Sequence, residues 1–334
     1  MGILEALFSN AQVGIQLSNQ VIKVLLKDKG LFVYPVAMAI LSLAILLAVF
    51  VPLVFFSGGF FLALGPIAII FMLIVYYFIA TLIATYFIFA LYIAFKAYIA
   101  TGKKMPMGTA LSKAGAYTGL IVQWAVAYTI IRTVIKLIEG QSRGIVEFLI
   151  QAIAGIGLFL GTTFAAPIIF EERVGPIDAI KKSASFIINN LGKTFSGIIY
   201  FDIIGFIIKA VAGIFIVASI LMLFLNLFNV DIAVAGFTIL GHTGYLAIGL
   251  VFLVGLAIFI IGDLFTYVTL HLYYLVVYDY VRNGKVPEGM DETLIRSSIQ
   301  GSMVRKGGKG KAQPTFANLF QSGPEPPDMK DFVQ

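Results

Sequence analysis

Six apolar runs dominate this chain, each longer than the about 20 residues that cross a bilayer as a helix. They cover 31–56, 67–99, 110–139, 145–170, 195–228 and 245–281. Only 12% of the residues are charged, about half the share of a soluble domain, so the polar surface needed to cover such runs in water is missing. The expected fold is all-α: a polytopic membrane helix bundle with six transmembrane helices in 31–281, plus cytoplasmic interfacial amphipathic helices. At about 1.5 Å per residue the second, fifth and sixth runs reach roughly 50 Å, against a hydrocarbon core of about 30 Å. Those three must tilt, break or project beyond it. Pro35, Pro66 and Pro176 stand at expected helix starts, whereas Pro52 and Pro167 fall late in runs and predict kinks there.

Placement of the basic residues predicts orientation. With the N-terminus inside, the inside regions hold 19 of the 23 basic residues, which the positive-inside rule reads as both termini cytoplasmic in a cell membrane. Tyr34, Tyr98, Tyr117, Tyr200, Tyr274, Tyr278 and Tyr280 gather at the same expected interface, as amphipathic rings do. The outer loops Ser57–Pro66, Gly140–Gly144 and Asn229–Gly244 are short and mostly apolar, so no folded external domain is expected.

Three inner segments read as amphipathic surface helices: 3–26, about 107–116 and about 176–190. In the first (the N-terminal interfacial region, 1–30), Leu4, Leu7, Phe8, Ala11, Ile15, Ile22, Leu25 and Leu26 recur at helical spacing. Glu5, Asn10, Gln12, Gln16, Asn19, Gln20 and Lys23 take the other side. Such a helix is expected to bed its apolar face at the headgroup boundary. One surface helix followed by two spans suggests a repeated unit, with Ala110-Leu111-Ser112-Lys113 matching Ala179-Ile180-Lys181-Lys182. Residues 282–299 read as a cytoplasmic juxtamembrane segment, and 300–334 as a flexible basic, proline-containing tail. Within it Phe316, Leu319 and Phe320 have the spacing of a short docking helix for a cytoplasmic protein partner.

Several apparent motifs lack the context their chemistry needs. Gly140-Gln141-Ser142-Arg143-Gly144, with Asp231 and His242 later, has a hydrolase order, but the nucleophile elbow works on a strained strand-to-helix turn, and here it joins two helices. Gly192-Lys193-Thr194 ends like a phosphate-binding loop, yet Ile187 stands where the first glycine must be. Gly157, Gly161 and Ala165 form a small-residue face suited to helix packing. There is no cysteine, which excludes thiolate catalysis and cysteine metal sites. No catalytic residue, cofactor or metal is expected, and the basic residues hug membrane exits rather than a nucleic-acid surface.

The candidate functional residues are ionisable groups inside the runs: Asp202, Lys209, Asp263 and His271. Treating the fifth and sixth runs as an antiparallel hairpin puts Lys209 level with Asp263 and Asp202 level with His271. This polar ladder is read either as a structural stitch or as a transport relay. Arg132 or Lys136 with Glu147 is a similar expected clamp between the third and fourth runs. Lys103, Lys104, Lys181 and Lys182 are candidate contacts for lipid headgroups.

The segment Phe170-Glu171-Glu172-Arg173-Val174-Gly175-Pro176-Ile177-Asp178-Ala179-Ile180-Lys181-Lys182-Ser183 resembles one recurring in uncharacterised prokaryotic six-helix polytopic membrane proteins, a domain of unknown function. Leu26-Lys27-Asp28-Lys29 and Gly284-Lys285-Val286-Pro287-Glu288-Gly289 are similar to that family too. It departs at Asn190-Leu191-Gly192, where a tryptophan before the glycine is more typical. The resemblance implies six helices and a prokaryotic membrane, and no activity. The expected function is a non-enzymatic membrane scaffold or envelope component engaging membrane lipids and a cytoplasmic partner. The alternative is a small transporter or lipid-handling protein using the ladder.

Overall fold

The structure, a computed structural model, describes residues 3–56, 66–139, 145–228, 232–234, 237–239, 245–284 and 290. Helix α1 (Ile3–Lys27) leads through a 3-10 turn (Lys29–Phe32) into α2 (Val33–Phe56). Then follow α3 (Pro66–Thr101), α4 (Met107–Ala114), a 3-10 turn (Gly115–Tyr117) and α5 (Thr118–Glu139). Next come α6 (Ile145–Thr162), α7 (Ala165–Glu172), α8 (Pro176–Asn189), α9 (Leu191–Leu227) and α10 (Tyr245–Asn283). Six stretches are long and apolar enough to cross a membrane: Lys29–Ala48, Ile74–Thr101, Met107–Leu137, Ala154–Glu172, Leu191–Leu227 and Tyr245–Asn283. Between α9 and α10 the expected loop contains a small antiparallel ladder, β1 (Ile232–Val234) with β2 (Phe237–Ile239), Ala233 opposite Thr238. Its β-branched and aromatic residues favour extended backbone.

The chain divides into two compact units, residues 1–197 with 271–334 and residues 198–270. In the first, the fourth apolar run is not one helix. The backbone breaks after Thr162, and α7 starts at Ala165. Pro167 was expected to kink a continuous helix; instead it lies in the first turn of α7. A proline ring clashes with the carbonyl four residues back, which is that of Thr163, so the disruption falls N-terminal to the proline. The broken rung has a substitute. The Phe164 N–H donates to Ser183 Oγ at 3.1 Å, and that hydroxyl donates to the Leu160 carbonyl at 2.7 Å. Leu160 and Phe164 are the pair that a continuous α-helix would have joined directly, so the α8 hydroxyl is inserted into the ladder. Ser183 is fully buried.

Arg173 then ends α7 in the left-handed region at φ 52°, a conformation that costs a non-glycine residue about 1–2 kcal/mol. Its guanidinium lies 5.0 Å from the Tyr117 ring centroid, which helps to hold it. Gly175 and Pro176 open α8, with Pro176 at the position where a missing N–H does no harm. The first residues of the matched tetrads, Ala110 of α4 and Ala179 of α8, are both buried, as are Ala114 and Ser183, which follow the tetrads.

Val13, Leu17, Val21, Val24 and Leu25 are the buried stripe of α1, with Ser18 and Gln20 buried beside them. Gln20, expected on the polar side, is therefore buried against protein, and so is Leu25 of the expected apolar face. Ile15 and Leu26 of that apolar face are exposed on the protein, as are Gln12, Asn19 and Lys23 of the polar side. The helix therefore has three faces: one against protein, one apolar and outward, one polar. Two glycines permit its docking. A Cβ on Gly14 would overlap Ser196 Oγ and the Lys193 carbonyl, and one on Gly197 would overlap the Tyr273 ring. Tyr273, buried, donates its hydroxyl to that same Lys193 carbonyl.

Ser183→Ala removes the inserted hydroxyl and leaves a buried N–H and a buried C=O facing a gap. Each unmet group costs about 1–3 kcal/mol, so reversible unfolding in mixed micelles should show a loss of about 2 kcal/mol or more. Ser183→Thr, which keeps the hydroxyl, should lose less than half of that. An alanine variant as stable as the parent would mean the rung closes without Ser183.

Candidate functional site

The densest polar constellation of the first unit gathers where α7 ends. Phe170, Glu171 and Glu172 leave the fourth run in succession, the first two meeting α3 and the third α8 and α10. Phe170 stacks on Tyr117 at 5.2 Å between centroids and meets Phe89 and Tyr92 of α3 edge-on at 5.5 and 5.4 Å. Lys96 of α3 lies over the same ring, 5.8 Å from its centroid, and forms an ion pair with Glu171. Both side chains are nearly closed off, at 13% and 10% exposure, so this pair is a buried one. Glu172 is a hub. It accepts hydrogen bonds from Lys182 of α8 and from the Tyr278 hydroxyl of α10, with Arg282 at 4.0 Å. Tyr278 also rests on Phe186 at 5.2 Å, and Phe186 on Phe164 at 4.6 Å. Glu171 Oε1 has its ion pair with Lys96 but no hydrogen bond, whereas both oxygens of Glu172 are engaged. These contacts suit a structural clasp between α3, α7, α8 and α10.

The expected ladder is divided. Lys209 and Asp263, both in the second unit, form an ion pair at 3.1 Å. The close approach of α9 and α10 that allows it runs along Gly205, Gly255 and Gly262, whose faces receive Thr266, Ile216 and Ile208. The pair is not sealed: the side chains are 34% and 55% exposed. Asp202 also belongs to the second unit, is exposed, and has no ion-pair partner among the described residues. His271 belongs to the first unit, its ring 6.0 Å from that of Tyr274. The pairing of Asp202 with His271 spans the two units and stays an expectation.

Of the candidate headgroup lysines, Lys182 is engaged by Glu172, while Lys103 and Lys181 are exposed. Lys104 is tied at 3.5 Å to Asp28 yet remains 63% exposed. Gly161 takes part in packing, as its place on a small-residue face predicts: a Cβ there would lie 3.0 Å from Ile180 of α8. Gly157 faces open space. Arg132 donates its Nε–H to the Tyr128 hydroxyl at 2.9 Å, and the side chain of its expected partner Glu147 lies outside what is described. The Gly140–Gly144 motif, Asp231, His242 and the tail with Phe316, Leu319 and Phe320 are likewise outside the described residues. A groove of about 280 Å³ lies between α2 and α3, lined by apolar side chains such as Leu43, Leu46, Val75 and Ile79. It contains no ladder residue, and no metal-holding cluster occurs among the described residues.

Comparison of the chain with family models, curated proteins and solved structures returned no match. The functional reading therefore rests on the geometry above.

The buried Lys96–Glu171 pair generates a double-mutant prediction. Removing one partner of such a pair strands the other charge, at a cost of about 3–5 kcal/mol. Glu171→Gln alone should lower unfolding stability in micelles by about that amount, and adding Lys96→Met should restore most of it. A double variant that loses the full sum of the two singles would show that the charges do not compensate one another.

Proposed function

We propose that this protein is a multi-pass integral membrane protein of the cell membrane with both termini cytoplasmic. It acts there as a non-enzymatic scaffold or envelope component that engages lipids and, through its tail, a cytoplasmic partner. The carrying observation is the outward surface of the six long helices. Ile40 and Leu47 of α2, Ile130 and Val134 of α5, Ile214 and Val217 of α9, and Leu246 and Leu253 of α10 are all exposed. Contiguous apolar surface on this scale is untenable in water and natural in hydrocarbon. The hydroxyls within these helices support the reading, since lipid offers no partners. Thr129 donates to Ala125, Thr162 to Leu158, Thr266 to Gly262 and Thr269 to Phe265, each through its own helix carbonyls. The ion-paired clasp around Glu171 and Glu172, which ties α3, α7, α8 and α10 together, supports a structural part.

A second reading, a small transporter or lipid-handling protein, is supported by the lone carboxylate of Asp202 and the Lys209–Asp263 pair within the apolar hairpin. Intramembrane charge of that kind often marks a pathway. It requires a polar route, and the groove between α2 and α3 is apolar.

Orientation is testable directly because the chain has no cysteine. Single cysteines replacing Ser57, Ser142 and Thr243 should react with an impermeant maleimide on intact cells. Cysteines replacing Ser112 and Ser297 should react only after permeabilisation. The reverse pattern would invert the assignment, and uniform labelling of all five would remove the membrane reading itself.

A further inference from the structure

The lysines of the first unit do not all have the same neighbours, and one group of them converges. Asp28 is buried between α1 and the 3-10 turn; its Oδ1 accepts the Gly30 N–H at 3.0 Å and lies 3.5 Å from Lys104 Nζ. Lys27 and Lys29 flank Asp28 in the chain, and both are exposed. Lys103 precedes Lys104 in the reversal after α3, where Gly102 adopts φ +70° and the Lys103 N–H donates to Thr101 Oγ1 at 3.2 Å. Lys104 thus pairs with an inward-turned carboxylate, while Lys27 and Lys29 beside Asp28 in the chain and Lys103 beside Lys104 are exposed and form no ion pair among the described residues. The patch sits where the first apolar stretch begins, at Lys29. Beside it Leu26 is 67% exposed on the outward apolar face of α1.

We propose that Lys27, Lys29, Lys103 and Lys104 form a binding patch for the phosphates of anionic phospholipids, with Leu26 inserted beside them. The inference rests on the membrane reading, which places the start of the first span at headgroup depth. Lysines at the mouth of a span are attracted to the negative surface potential of an anionic leaflet. Asp28 positions Lys104 without cancelling the patch, since its one carboxylate pairs with Lys104 alone among the described residues. The site is built from ammonium groups rather than guanidinium forks, so it selects by charge and not by headgroup shape. Phosphatidylglycerol, with its single negative charge, is the simplest ligand that fits. Lys182, held by Glu172, is excluded from this role.

The test uses the full chain in mixed micelles, with its melting temperature read in phosphatidylcholine alone, with phosphatidylglycerol added, and with inorganic phosphate added. Phosphatidylglycerol should raise the midpoint by about 5 °C, the rise should vanish in high salt, and inorganic phosphate should give none of it. Lys27→Gln/Lys29→Gln/Lys103→Gln/Lys104→Gln should abolish the rise, and the corresponding quadruple arginine variant should keep it. If the quadruple glutamine variant is unstable in phosphatidylcholine, the Lys27→Gln/Lys103→Gln pair, which spares the Asp28–Lys104 contact, should lose about half of the rise. No difference between the two lipids, or a rise retained without the lysines, overturns the proposal. An equal rise with inorganic phosphate overturns the lipid assignment in favour of a soluble anion. Partition into the detergent phase of Triton X-114 is scored in parallel: a protein left in the aqueous phase would refute the membrane reading, separately from the patch.

Discussion

The hydroxyl of Ser183 stands between a carbonyl and an N–H that a straight helix would have bonded to each other. Much of the first unit follows from that substitution. With the rung open, the chain turns at Thr163–Phe164, and α7 starts as a separate short helix. Its last residues then reach three partners that a continuous helix would have pointed past: Lys96, Lys182 and Tyr278. A serine can do this because its single hydroxyl both accepts and donates. The arrangement also fastens α8 to the break it bridges.

Much of this architecture is legible in the amino-acid sequence, for reasons that differ by element. The six long runs are set by length alone, and Gly175-Pro176 marks the start of α8 by the geometry of proline. The Lys209–Asp263 pair follows from equal depth in an antiparallel hairpin, and needs only the hairpin to be right. The protein-facing stripe of α1 was missed because apolar periodicity does not distinguish side chains that meet protein from side chains that meet the surroundings. Val13, Leu17, Val21 and Val24 do the first, Ile15 and Leu26 the second, and the two stripes merge in a sequence pattern. The clasp escaped detection for another reason. Lys96, Glu172 and Tyr278 are far apart in the chain, Glu172 and Tyr278 by 106 positions, and nothing local in any of them names its partner. The available signals were a lone lysine inside the second apolar run and two adjacent carboxylates leaving the fourth.

These features favour a structural role over a chemical one. The buried charges of the first unit compensate one another, and many hydroxyls bond within their own helices. Exposed charges include the hairpin pair and the lysines beside Asp28. A lysine patch beside an outward apolar edge of α1 is a surface that a charged leaflet would satisfy. The hairpin charge is where a transport reading would have to begin, and Asp202 is exposed there.

The central claim is that hydrocarbon, not water, surrounds the long helices. It is tested most directly by spin labels at outward positions of α9 and α10. Single nitroxides at Val217, Ile220, Phe224, Leu250 and Leu253, all exposed on the protein, would be measured after reconstitution for collision with oxygen and with an aqueous nickel chelate. The account predicts high oxygen and low nickel accessibility at all five sites, with the ratio changing steadily along each helix as depth changes. High nickel accessibility at every site, with no gradient, would contradict it.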